Sequence, residues 1–168
     1  MIFVSSTSVY PNDAGRVHEG DGKESPEHPL FRIESRFRES PGFSTTIVRF
    51  GGLIGYSRHP GRFFRSGKTV SNPDSGVNLI HRDDCIAILE RLVANGPWGE
   101  VFNCCADTHP SKREFYSHAA SQLGSDPPRF EDSPDAPVKL IMNEKVKRVL
   151  DYEFVHPDLM AVRFVNKI

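Results

Sequence analysis

Cysteine is scarce in this sequence: three in 168 residues. Two of them, Cys104 and Cys105, are adjacent, so neither a disulfide framework nor a CxxC-type zinc site is predicted. Long apolar runs are missing as well. None approaches the roughly 18 residues a membrane-spanning helix needs. The opening Met1-Ile2-Phe3-Val4-Ser5-Ser6 has no basic segment and turns polar after Val4, which does not read as a secretory signal. Charge of one sign is not in excess, with 21 Lys and Arg against 22 Asp and Glu and a net charge of -1. That balance gives no general electrostatic reason to expect nucleic acid or an anionic membrane as partner. The cytoplasm is the default expectation, and the length suits one unit with a real core.

Short apolar runs alternate with amphipathic windows, a pattern of α/β architecture. Ile2 to Val4 read as a parallel strand covered on both faces. Pro11 to Pro29, rich in glycine and charge, reads as a long loop, and a helix follows through Ile33 and Phe37. Ser44 to Phe50 read as a strand, after which Gly51, Gly52 and Gly55 break regularity. Ser57 to Ser75 is a basic loop with a short helix near Phe63 and Phe64. Val77 to Ile80 read as a strand, and Asp83 or Asp84 as the cap of a helix presenting Cys85, Ile88, Leu89 and Leu92, stopped by Gly96-Pro97. Val101 to Cys104 form another strand. Ser111-Lys-Arg-Glu114 is a capping box, and Gly124 closes its helix. After a connector with Pro127, Pro128, Pro134 and Pro137, a strand over Val138 to Met142 and a helix over Asn143 to Leu150 complete the pattern.

Four segments in order carry a family resemblance. Ile2-Phe-Val-Ser-Ser-Thr-Ser-Val-Tyr10 resembles the segment of extended short-chain dehydrogenases, the NAD-dependent epimerase/dehydratase family, in which a strand delivers a catalytic hydroxyl just before a Val-Tyr pair. Thr46-Ile-Val-Arg-Phe-Gly-Gly-Leu-Ile-Gly55 is similar to the next strand and the loop passing the nicotinamide. Asn78 to Asp84 and Trp98 to Asn103 resemble the later strands. The nearest likeness is to atypical members, in which an Arg like Arg49 precedes Phe-Gly-Gly.

The resemblance implies the second half of a Rossmann-like parallel sheet over residues 1–104 and a small C-terminal substrate lobe over 105–168. It implies NAD or NADP as cofactor and a small hydroxylated or sugar-like substrate. It places Ser6 at the catalytic hydroxyl, Ser5, Phe50, Gly51 and Gly52 beside the cofactor, and Thr7, Tyr10, Arg58, His59 and Arg62 toward substrate. Each position has a plainer reading. Ser5 to Ser8 suit a polar turn, Tyr10 a packed core, and Arg58 to Arg62 a solvated basic loop. Arg49 suits a pair with a nearby carboxylate, and His81 to Asp84 a strand exit.

The family's glycine-rich phosphate turn, GxGxxG or GxxGxxG, does not occur. The residues four after Tyr10, Tyr56, Tyr116 and Tyr152 are Ala14, Pro60, Ala120 and His156, so the Tyr–Lys proton-transfer pair is absent too. Four before His81, where nucleotide-sugar members carry an Arg, stands Val77. The chain therefore reads as a C-terminal portion, silent by itself. Its expected partners are a small-molecule substrate and a second copy or a separate nucleotide-binding half. A non-catalytic assembly module and a ligand-sensing pseudoenzyme are the competing readings.

Overall fold

In a computed structural model of the chain, residues 1–64, 67–133 and 136–164 are described. Pro134 of the proline-rich connector, and Arg65 and Ser66 of the basic loop, lie outside these residues.

The apolar Thr46-Ile-Val-Arg-Phe run forms the middle of a three-stranded parallel sheet. Its strands are β1 (Ile2–Ser6), β3 (Thr46–Phe50) and β7 (Val101–Cys104), in the order β1-β3-β7. Every residue of β3 is buried, as a parallel strand with two neighbours requires. β1 departs from the expectation of full cover: Val4 is 53% exposed. Among the described residues β1 pairs only with β3, and the apolar cluster that closes over Val48 stops short of Val4.

The expected loop over 11–29 holds a short strand, β2 (Gly15–Val17), parallel to β9 (Lys139–Ile141). The glycine-broken stretch after β3 likewise holds β4 (Gly52–Ile54), parallel to β6 (Leu79–His81). A third small pairing joins β5 (Val70–Ser71) to β8 (Phe130–Glu131). Such short pairings escape sequence reading because a backbone partner, not a side-chain period, defines them.

Among the described residues there are four α-helices. In α1 (Pro29–Arg38), Pro29 pre-sets the first turn and the His28 ring accepts the Leu30 N–H at 3.2 Å. α2 (Arg82–Asn95) buries Cys85, Ile88 and Leu92, one face at helical spacing. Its cap is His81, not Asp83 or Asp84: the His81 ring accepts the Asp83 N–H at 3.2 Å, and Asp84 turns inward. α3 (Lys112–Ser121) opens with the expected Ser111–Glu114 capping box. α4 (Glu144–Leu150) ends at Asp151, in the left-handed region at φ 47°. The expected helix near Phe63 and Phe64 is a 3₁₀ turn over Pro60–Arg62.

Residues after 104 return to the sheet. Val146, Tyr152 and Phe154 share one core with Val48, Phe102, Ile88 and Leu92. A second core gathers Ile54, Val77 and Leu79 against Phe115, Leu159 and Val162. Among the described residues no helix is long and apolar enough to cross a membrane.

Candidate functional site

A cleft of about 360 Å³ opens where β1 ends and β4 begins, outside the carboxyl end of the parallel strand. Ser6, Thr7 and Ser8 form one wall, Gly52 and Val77 to Leu79 the floor, and Lys112, Tyr116 and Lys139 the far side. Ser6 caps the 3₁₀ turn Thr7–Val9 by accepting the Ser8 N–H at 3.1 Å. Its hydroxyl proton can still be donated to a ligand oxygen.

Asn78 fixes the floor. Its amide donates to the Lys139 carbonyl at 2.8 Å, and its side-chain oxygen accepts the Ile141 N–H at 2.8 Å. Lys112 reaches the Ser71 carbonyl at 2.9 Å, and Lys139 the Tyr10 carbonyl at 3.0 Å. Burial pushes the pKa of both ammonium groups down, and the charge of Lys112 pushes Lys139 further. Among the described residues no carboxylate pairs with either lysine or lines the cleft. Two confined cations without a counter-charge make an anion-seeking wall. Lys112 and Tyr116 stand one turn apart on α3, and both line the cleft. Burial raises the Tyr116 pKa, so its hydroxyl stays protonated as a donor.

Ser6, Thr7 and Gly52 are thus brought together, whereas the other residues singled out in the sequence lie elsewhere. The Ser5 hydroxyl donates to Glu34, and Phe50 is in the core. Gly51 and Gly52 serve a close backbone hand-over. Gly51 N–H ends the β3–β7 ladder at the Cys104 carbonyl (2.9 Å), and Gly52 N–H starts the next pairing at the Asn78 carbonyl (2.8 Å). A Cβ at Gly51 would stand 2.7 Å from both Asn78 O and Cys105 Sγ. Tyr10 is buried, its hydroxyl donating to Asn103 at 3.0 Å and accepting from Arg49 at 2.5 Å.

Arg58 donates to the Leu53 carbonyl at 2.7 Å and lies over the Phe63 ring. His59 is buried and caps the 3₁₀ turn that holds Arg62, accepting the Gly61 N–H at 3.0 Å. The turn sits hard against α3: a Cβ on Gly61 would be 2.5 Å from the Ala119 carbonyl. Asn78, Lys112, Tyr116 and Lys139 were missed as a set. The Lys112–Tyr116 spacing in a capped helix was a usable signal, but nothing local ties Lys139 to it.

Ser5, the neighbour of Ser6, leads into a buried ion network. Arg49 meets Glu34 through Nε at 3.1 Å and through a terminal nitrogen at 2.6 Å, and its other terminal nitrogen meets Glu24 at 2.5 Å. Arg49 and Glu34 are each 1% exposed. Burial works most strongly against the guanidinium charge, but the bonds to Glu34 and Glu24 and the charges of Tyr10 and Glu34 together outweigh it and hold the pKa above its ordinary value. The helix expected to carry a Tyr–Lys pair instead presents Glu34, its one buried residue, to Ser5 and Arg49. Cys85, Cys104 and Cys105 are buried free thiols whose pKa burial raises.

No family model matches the sequence. Protein YeeZ of Escherichia coli K12 is 38% identical over 170 residues, covering 96% of this chain. The chain spans 60% of that relative's length. Among solved structures, a functionally unknown conserved protein from Silicibacter pomeroyi superposes with a TM-score of 0.79 at 21% identity, over 95% of this chain and 62% of the other. Human epimerase family protein SDR39U1, solved with NADPH, gives 0.74 at 17% identity, over 95% and 62%. The chain has the α/β, Rossmann-like fold of the NAD-dependent epimerase/dehydratase structures.

Proposed function

We propose that this chain is the substrate-holding part of an NAD(P)-dependent epimerase/dehydratase-like oxidoreductase, and that its substrate is a small hydroxylated or sugar-like molecule bearing an anionic group. The lysine pair carries this reading: Lys112 and Lys139 flank a cleft that Ser6 and Thr7 border with hydroxyl groups. Lys112 and Lys139 neutralise the anion, Asn78 keeps the floor rigid, and Ser6 and Tyr116 donate to substrate oxygens. A dinucleotide, when bound by such enzymes, accepts or returns a hydride at a substrate carbon.

The residues present here do not make that dinucleotide site. The glycine turn and the Tyr–Lys pair are absent, and Ser5, Phe50 and Gly51 face protein rather than the cleft. The chain by itself is therefore expected to hold substrate without turnover. Calorimetry with NADH, glucuronate and glucose tests this: glucuronate binds in preference to glucose, Lys139→Met abolishes the preference, and NADH gives no saturable heat. Equal affinity for glucose and glucuronate would sink the anionic-substrate reading, and tight NADH binding the incomplete-site reading.

One observation favours a second reading, an assembly module. Among the described residues β1 has a strand partner on one side only, and Val4 on it is 53% exposed. A second copy, or a separate nucleotide-binding chain, would add a strand there. Light scattering decides for self-association, since a monomer at high concentration removes the homo-oligomer.

A further inference from the structure

Read along the chain, the histidines show no ligand spacing. Folding nevertheless sets His156, from the segment after α4, against the start of α2. His81, Asp83 and His156 each offer a ligand atom, and these atoms lie within 4.8 Å of one another. Asp83 Oδ2 is 3.4 Å from His81 Nδ1 and 3.4 Å from His156 Nε2. Those contacts are long for hydrogen bonds, whose usual N···O distance is about 2.9 Å. They match the edge of a tetrahedron: metal–ligand bonds of about 2.05 Å separate ligands by about 3.3 Å. We propose that His81, Asp83 and His156 form a binding site for a divalent transition metal of the zinc class, with water completing the coordination.

Each ligand is held by its own support. The His81 ring packs on Gly55, where a Cβ would collide with it. Its Nδ1 accepts the Asp83 N–H at 3.2 Å, so it carries a lone pair rather than a proton on the cluster side. Metal would take that lone pair in place of the capping contact. Tyr56 donates to the other oxygen of Asp83 at 2.7 Å, leaving Oδ2 toward the histidines. Asp84 accepts the backbone N–H of Val155 at 2.6 Å and of His156 at 3.2 Å, and the Tyr152 hydroxyl at 2.6 Å. It therefore fixes the segment that presents His156 without touching the His156 ring.

Such outer supports are what ordered metal sites share. The two imidazole centroids are 3.9 Å apart, so folding brings both rings to one place. The Arg82 guanidinium lies over the Tyr56 ring, 3.7 Å from its centroid. The Asp83 and Asp84 carboxylates offset the positive end of the α2 dipole. His81 is buried, while the Asp83 and His156 side chains are 36% and 27% exposed, which leaves an approach for the ion and its water. The bound ion would clip the segment around His156 to the first turn of α2.

Co²⁺ absorption and Zn²⁺ calorimetry on the full, chelator-treated chain near neutral pH test the site. One equivalent of Co²⁺ is expected to give the visible absorption of a four-coordinate ion, which Zn²⁺ then displaces. Zn²⁺ should also raise the melting temperature. His156→Ala keeps the backbone N–H that Asp84 holds, and is expected to weaken Zn²⁺ binding about tenfold or more. Asp83→Asn should do the same and decides the matter if the first variant does not fold. The absence of stoichiometric Co²⁺ and Zn²⁺ binding in the unsubstituted chain overturns the proposal. So does unchanged Zn²⁺ affinity in a folded variant.

Discussion

Replacing Arg49 by Met tests what the buried ion network does for the cleft. Methionine keeps most of the aliphatic volume but deletes the contacts to Glu34, Glu24 and Tyr10. Glu34, 1% exposed, would then keep only the Ser5 hydroxyl as a donor among its present side-chain partners. Opposite charges about 4 Å apart in a medium of effective dielectric about 20 attract by about 4 kcal/mol. Breaking a buried pair from one side costs about 3–5 kcal/mol, because the surviving charge stays desolvated. A urea titration followed by circular dichroism should therefore show the midpoint falling at nearly unchanged slope, equivalent to a loss in that range. Adding Glu34→Met to Arg49→Met removes the orphaned carboxylate and should recover all but about 2 kcal/mol of the loss. A single variant within about 1 kcal/mol of the parent would refute the assignment of Arg49 and Glu34 as a mutually dependent buried pair.

Asp84→Asn should destabilise by about 2–3 kcal/mol in the same titration, because an amide NH2 replaces one carboxylate oxygen and cannot accept from the donors of Tyr152, Val155 and His156 that share the two oxygens; a loss below about 0.5 kcal/mol would contradict this. Tyr10 has its pKa raised to about 12, by burial first, against an unfolded value of 10.0. Its contribution is fully present below pH 10 and is lost as pH rises toward 12, so Tyr10→Phe should flatten the alkaline fall of the melting temperature. Anion binding in the cleft needs both lysines charged. Because their pKa values are depressed, glucuronate affinity should fade at a lower pH than an ordinary lysine's 10.5, which calorimetry across alkaline pH reads directly. Gly51→Ala should cost about 1–3 kcal/mol through collision with Asn78 O and Cys105 Sγ, seen as a lower urea midpoint.

By itself the sequence determined the α/β class, the places of its main strands and helices, and the resemblance to an epimerase-type fold. These features are local. Apolar strand runs, the Ser111–Glu114 box and the Cys85–Ile88–Leu92 face each depend on neighbours a few residues away. The sequence also placed Ser6 and Thr7 at the exit of a strand, since Ile2 to Val4 had to enter the sheet; the strand runs on to Ser6, and Thr7 opens the turn. Tertiary structure alone decided which side chains meet. Lys139 comes to the cleft because β9 pairs with β2, more than a hundred residues earlier. Glu34 finds Arg49 because α1 packs on β1, on the face to which Ser5 points while Ser6 points to the other. His59 is drawn inward because its turn packs on α3. His156 reaches His81 because the buried Asp84 captures its backbone. Short-range patterns fix backbone form, whereas these pairings are set by packing between distant segments, which leaves no period or spacing along the chain to read.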